Sequence, residues 1–383
     1  MAVVTSALTS IPTAIFALTA LYLLLLILWR LYLSPLSKFP GPKLAAATHW
    51  YQRYFDLVAK RHGGQFLWEI NRLHKKYGPI VRITPDELHI DDPEYWHEVY
   101  CQTSTAKPID KQTKLRYRFG LPDAVFSTPR SEQHRSRRQA MAGFFSRQRL
   151  RESQDRVNQL VDRVSRRLSK EYAGTNRVLY VGDMLSCLAI DIVTELCFRR
   201  CTNYTEVPEF NPPFVRVTIN NIWMVHWTAH FGRFVLALIE KLPASIMLSL
   251  VPLMKPVHEF KTSINEQVDE ILSGIDQNSL KTKSYRSSDH ATMFDDILAS
   301  NLPESELSFN RLSQEAMALT TAGMETVKST ITLAIVHLLE KPNVGNCLRE
   351  ELIQAMPNPD IILPWFELEK LPYLTAVINE SEC

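Results

Sequence analysis

No charged side chain occurs between Met1 and Trp29, which constrains this chain more than any other feature. Ile11 to Leu33 supplies about 20 mostly apolar residues, enough at ~1.5 Å each to cross a bilayer. A cleaved secretory signal would need a basic start and an apolar run of roughly 7–15 residues, and neither is present. The sequence therefore predicts a retained anchor over residues 11–33, with residues 1–10 on the lumenal side. Arg30, Lys38 and Lys43 follow the span while nothing basic precedes it, so the remaining chain is expected to face the cytosol, most naturally from the endoplasmic reticulum. The sequons Asn203-Tyr204-Thr205 and Asn379-Glu380-Ser381 would go unused in that topology.

The chain has 383 residues, 45% of them hydrophobic, which is ample for a sizeable core. Its 43 basic and 41 acidic residues leave no global field directed at nucleic acid. The basic run Arg130 to Arg149 has only Phe144 and Phe145 interleaved, both core-like, so no nucleic-acid partner is expected. The six cysteines, at 101, 187, 197, 201, 347 and 383, form neither a CxxC pair nor a disulfide framework. A reduced domain without a metal site is the expectation.

After the anchor, Ser34-Pro35 and Lys38-Phe39-Pro40-Gly41-Pro42 forbid helix continuation and predict a hinge over residues 34–45. One domain is expected over 46–383. Phe66, Ile70, Leu73 and Tyr77 repeat at helical spacing and stop at Gly78-Pro79. Val81, Ile83, Leu88 and Ile90 alternate around Pro85-Asp86 as in a hairpin. Beyond Asp91 the pattern is helical, at 131–150, 153–171, 181–199, 213–240, 245–275, 308–340, 342–356 and 371–382, with 206–213 and 276–290 as loops. The fold class is mainly α, with an α+β layout.

Three clusters could carry chemistry. In the helix at 308–340, Ala322-Gly323-Met324-Glu325-Thr326 puts a glycine beside an acid and a hydroxyl. Gly323, costing ~1 kcal/mol against alanine, marks a close approach to the backbone, by helix packing or by a ligand. The Thr326 hydroxyl can bond the carbonyl four residues before it or relay a proton. Secondly, His134 and Arg138 are four apart on one helical face, as an anion clamp or as part of a solvated basic face. Thirdly, Leu371 to Ser381 reads as an amphipathic helix carrying Glu380.

Taken in order, these segments resemble the cytochrome P450 family, the haem-thiolate monooxygenases. The span with Phe39-Pro40-Gly41-Pro42 is similar to the microsomal branch, and Lys76-Tyr77-Gly78-Pro79-Ile80-Val81-Arg82-Ile83 to the family's first helix and strand pair. Residues 322–326 are similar to its oxygen-binding groove. The sequence style resembles fungal secondary-metabolite members, including trichodiene-oxygenase-like enzymes. The resemblance implies a haem cofactor, NADPH-cytochrome P450 reductase as electron donor, and a small apolar substrate, terpenoid or polyketide, that is hydroxylated or epoxidised. It further implies that Ala322 and Gly323 leave room for dioxygen, that Glu325 and Thr326 organise proton delivery for O–O cleavage, and that His134 and Arg138 hold a haem propionate. His134 stands where many members have tryptophan; imidazole can still donate a hydrogen bond.

Two departures follow from the same comparison. Glu380 fits the glutamate of the family's Glu-x-x-Arg motif, but position 383 is Cys. A buried carboxylate left without its guanidinium would weaken the fold locally. The glycine-flanked cysteine loop that ligates iron would lie beyond residue 383, and Cys383 has no surrounding turn or helix to replace it. The implied fold is thus a cytochrome P450 fold lacking its haem-cysteine portion, preceded by one transmembrane helix. The alternative functional reading is an inactive remnant or a membrane-anchored interaction module.

Overall fold

In the computed structural model, which describes residues 2–60, 63–100, 108–198, 200–220, 223–239, 241–273, 292–358 and 362–382, the N-terminal apolar run is a single helix, α1 (Ala2–Leu28). A π-helical turn, Trp29–Leu33, continues it. Among the described residues one helical segment, Thr13–Leu33, is long and apolar enough to cross a membrane, with mean hydropathy 2.2 and nothing buried. The helix begins well before residue 11 and runs through Pro12.

The short helices α2 (Lys43–Ala47) and α3 (Trp50–Arg53) lead to α4 (Phe66–Tyr77), which buries Phe66, Ile70 and Leu73 and ends at Gly78, whose φ of 96° suits glycine. Strands β1 (Ile80–Thr84) and β2 (Glu87–Ile90) pair antiparallel around Pro85 and Asp86, with Val81 opposite His89. Val81 and Ile83 join the core of α4, while His89 meets His74 (Nδ1 to Nε2, 2.7 Å).

The proline-rich segment expected as a hinge is bolted to this hairpin. The Arg82 amide donates to Pro40 O (2.8 Å), and a Cβ on Gly41 would stand 2.3 Å from Arg82 O. The Arg82 guanidinium, 1% exposed, donates to Arg30 O (2.8 Å) and Pro85 O (2.7 Å), and Arg30 donates to Ala47 O (2.9 Å). Prolines that cannot continue a helix have been used to route the chain along a strand edge.

The remaining helices are α5 (Trp96–Tyr100), α6 (Ser131–Ala142), α7 (Arg147–Glu171), α8 (Val181–Cys197), α9 (Pro213–Asn220), α10 (Met224–Ile239), α11 (Ala244–Leu250), α12 (Lys255–Ser273), α13 (Met293–Leu298), α14 (Phe309–Glu340), α15 (Pro342–Ala355), α16 (Trp365–Leu368) and α17 (Pro372–Glu382). The helix expected at 131–150 breaks because the Ser146 hydroxyl accepts from the Arg149 amide and starts α7 afresh. The one at 245–275 breaks at Pro252. Sequence periodicity overlooks α13, which a Thr292/Asp295 capping box opens. The loop expected at 276–290 lies outside the described residues.

The chain divides into two compact units, Met1–Ile109 with Trp223–Gly232, and Asp110–Ile222 with Arg233–Cys383, where the sequence predicts one domain. In the first, His230 Nε2 is 2.8 Å from Asp56 Oδ2, and Arg53 lies between the rings of Trp50 and Phe231. These contacts tie the start of α10 to the N-terminal residues. In the second, α14 runs against α8 and α12 over a core that includes Ile190, Ile264, Phe294, Leu312 and Met324. Asp191, fully buried on α8, accepts from the Thr202 and Thr205 hydroxyls and the Tyr204 and Thr205 amides, so the hydroxyl of the first sequon is enclosed.

Candidate functional site

Helix α6 is positioned from both ends. The Ser131 amide donates to Asp110 Oδ1 (2.8 Å), holding that carboxyl below its usual range, and the buried Arg137 donates through Nε to Glu306 Oε2 (2.6 Å). Arg137 Nη1 also donates to Asp123 O (3.0 Å) and Thr128 Oγ1 (2.7 Å). Glu306, just ahead of α14, additionally accepts from Gln133 (2.7 Å). One turn into α14, Arg311 pairs with Glu315 (3.0 Å), and Glu315 accepts the Val125 amide (2.9 Å). This buried chain of charges fixes α6 against the first half of α14. Burial pushes the Glu315 carboxyl up and the Arg311 guanidinium down, each against the pull of its partner.

On α6, neither the His134 ring nor the Arg138 guanidinium has a hydrogen-bond or ion-pair partner among the described residues. His134 is half-buried and its pKa is lowered, by burial first and then by Lys111 and Arg138. An imidazole and a guanidinium on one face without a counter-charge form a donor set that a carboxylate can use. The described residues thus fit the carboxylate edge of a haem.

About 16 Å beyond Arg311 along the helix, residues 322–326 sit in an unbroken stretch of α14. Ala322 and Thr326 share an exposed face, and the Thr326 hydroxyl donates to Ala322 O (3.0 Å). Gly323 points elsewhere: a Cβ there would come 2.8 Å from Val193 Cγ2, so the glycine lets α8 approach. Glu325 is clasped by Lys328 Nζ (2.6 and 2.7 Å).

Glu380 is exposed on α17, so the expected desolvation cost of an unpaired buried carboxylate does not arise. The α17 N-terminus is instead capped by Glu351 of α15, which accepts the Tyr373 (2.9 Å) and Leu374 (2.8 Å) amides. Cys383 lies outside the described residues. Cys187 and Cys197 are core residues whose thiols burial pushes up to about 12, Cys201 contacts Asp191 O, and Cys347 is exposed on α15. No group of three or more candidate metal-ligating residues occurs among the described residues.

Sequence reasoning missed Lys111, Glu306, Arg311 and Glu315. Arg311 and Glu315 were legible as an i,i+4 pair, whereas Lys111 and Glu306 act through tertiary contacts alone. A polar cleft of about 860 Å³ lies on the flank of α6 bearing Gln139 and Ala140, between Arg149 and Asp296. None of the sequence-predicted site residues lines it.

A mostly helical body with one short hairpin, an anion-ready α6 and a long α14 bearing the 322–326 motif defines the class. The family model for cytochrome P450 matches residues 49–381. The chain is 39% identical over 363 residues to a cytochrome P450 monooxygenase, orf6, of Eupenicillium brefeldianum, covering 94% of this chain and 69% of the relative. It is 33% identical to the cytochrome P450 monooxygenase tpcC of Cochliobolus heterostrophus, covering 100% and 71%. A crystal structure of a cytochrome P450 superposes with a TM-score of 0.63 at 17% identity, covering 90% of this chain and 69% of that one, a likeness of fold. The chain belongs to the cytochrome P450 family.

Proposed function

We propose that this chain serves a membrane-anchored monooxygenase that inserts one oxygen atom into a small apolar metabolite, a terpenoid or polyketide of fungal secondary metabolism. Its electrons come from NADPH-cytochrome P450 reductase, and its body faces the cytosol from the endoplasmic reticulum. The observation that carries this reading is the pairing of an unpartnered donor face at His134 and Arg138 on α6 with the open Ala322–Thr326 face on α14, α6 being held by Arg137 to Glu306 just ahead of α14.

Haem, when bound, supplies the activation of dioxygen. The chain's own residues do the rest: His134 and Arg138 hold carboxylates, and Ala322 keeps the α14 face low. Thr326 can release Ala322 O and offer its Oγ1 proton to a group on that face. Glu325, held by Lys328 and next in the chain to Thr326, would return a proton to Thr326 only after taking one up from solvent.

The test is a reduced, CO-treated, haem-supplied sample of the protein that the full-length transcript encodes. A thiolate-type Soret band is expected; haem uptake without that band would overturn the monooxygenase reading.

A further inference from the structure

The first acidic side chain of the sequence is Asp56, so Arg30, Lys38 and Lys43 leave the apolar helix with no carboxylate before or between them. Arg30 lies in the turn Trp29–Leu33, between Trp29 and Tyr32, which are 48% and 66% exposed. Aromatic side chains of this kind mark the interface end of a membrane span. Arg30 Nη1 donates to Ala47 O (2.9 Å), and its other four N–H donors have no partner among the described residues. The Arg30 carbonyl accepts from Arg82 Nη1 (2.8 Å), so a second guanidinium is bonded to the same turn. Arg82 is 1% exposed, its other hydrogen bond goes to Pro85 O (2.7 Å), and its Nε has no partner among the described residues. No carboxylate bonds it there either: Asp86 accepts from Thr84 Oγ1 (3.0 Å) and lies 3.4 Å from His49 Nε2. Burial, then Arg30, hold the Arg82 guanidinium below its ordinary value, with Asp86 opposing them. A buried cation bonded to carbonyls alone is costly until an anion comes near.

We propose that Arg30, with Arg82 bonded to its carbonyl and Lys43 opening the helix α2 that receives its side chain, forms a site for the phosphate of an anionic phospholipid at the domain end of the anchor. The inference rests on the membrane-anchor reading above and adds a ligand to it. The free edge of the Arg30 guanidinium can pair two phosphate oxygens at once. A headgroup of net negative charge supplies the counter-charge that Arg82 lacks. A choline headgroup brings its own cation and supplies none.

The full chain in bilayer discs of phosphatidylcholine mixed with phosphatidylserine, released inside a native mass spectrometer, shows which lipid stays with it. Phosphatidylserine is expected to be retained about tenfold above its share of the disc. Arg30→Gln should cut that preference about fivefold, and Arg30→Lys, which keeps the charge and loses the fork, should fall between the two. Lys38→Gln should change it by about twofold or less, since that exposed ammonium sits over the neighbouring Phe39 ring. Far-UV circular dichroism confirms that each variant folds. Equal losses from Arg30→Gln and Lys38→Gln mean a diffuse cationic collar, and an absent preference for phosphatidylserine means no site; either overturns the proposal while the anchor stands. Phosphatidylserine displaced by millimolar inorganic phosphate makes the free ion the ligand and overturns the lipid assignment. A chain recovered outside the discs overturns the anchor and the site together.

Discussion

The Arg311–Glu315 pair offers the sharpest test of what holds α6 and α14 together. Both side chains are 3% exposed, yet Arg311 Nε and Nη1 have no hydrogen-bond partner among the described residues. Removing one partner strands a charge in the core: Glu315→Gln leaves Arg311 with Glu306 alone, 3.6 Å away, and weakens the acceptor of the Val125 amide. Breaking a buried pair in this way costs about 3–5 kcal/mol, or roughly 6–10 °C in melting temperature at about 2 °C per kcal/mol. Burial dominates the pKa shifts of both groups, so the double replacement Arg311→Met with Glu315→Leu is expected to recover part of that loss, the Val125 amide being left without its acceptor. Thermal and urea denaturation of the four corners of this cycle measures it. A single Glu315→Gln variant within about 1 kcal/mol of the parent, or a double variant as unstable as the single, would refute the reasoning.

Three further outcomes are expected. Gly323→Ala forces its methyl against Val193 and should cost about 1–3 kcal/mol, offset by the gain in helix propensity and relieved by Val193→Ala; denaturation midpoints decide it. Glu69 is held below the usual carboxylate range by Arg72, opposed by burial and aided by Tyr51. Its folded-state pKa is depressed, so its contribution is present above the unfolded pKa and lost as pH falls through the folded one; Glu69→Gln should flatten the stability profile below about pH 4.5. Arg82→Met should expose residues 34–42 to limited proteolysis, because the bonds to Arg30 and Pro85 carbonyls vanish.

Much of the fold was legible because the hydrophobic period is strong where helices are long. The 308–340 helix emerges at 309–340, and the hairpin around Pro85-Asp86 emerges as expected. Breaks governed by a single cap, such as Ser146, were not, since a cap hydroxyl outweighs periodicity only locally. At the site, spacing placed His134 with Arg138 and Ala322 with Thr326. It left Gly323 open between packing and ligand, and the distance to Val193 shows the packing contact that periodicity could not name. Lys111 was invisible for a different reason: it is held by the carbonyls of Pro129 and Phe126, contacts that no periodicity encodes.

The bolting of Arg82 across Arg30 and Pro85 makes the N-terminal apolar helix a spar rather than a tether. In a flexible tether an inserted residue is absorbed as slack. Here one alanine added within α1 would shift the hairpin ~1.5 Å along the helix and swing it about 100° around the helix axis relative to the residues before the insertion.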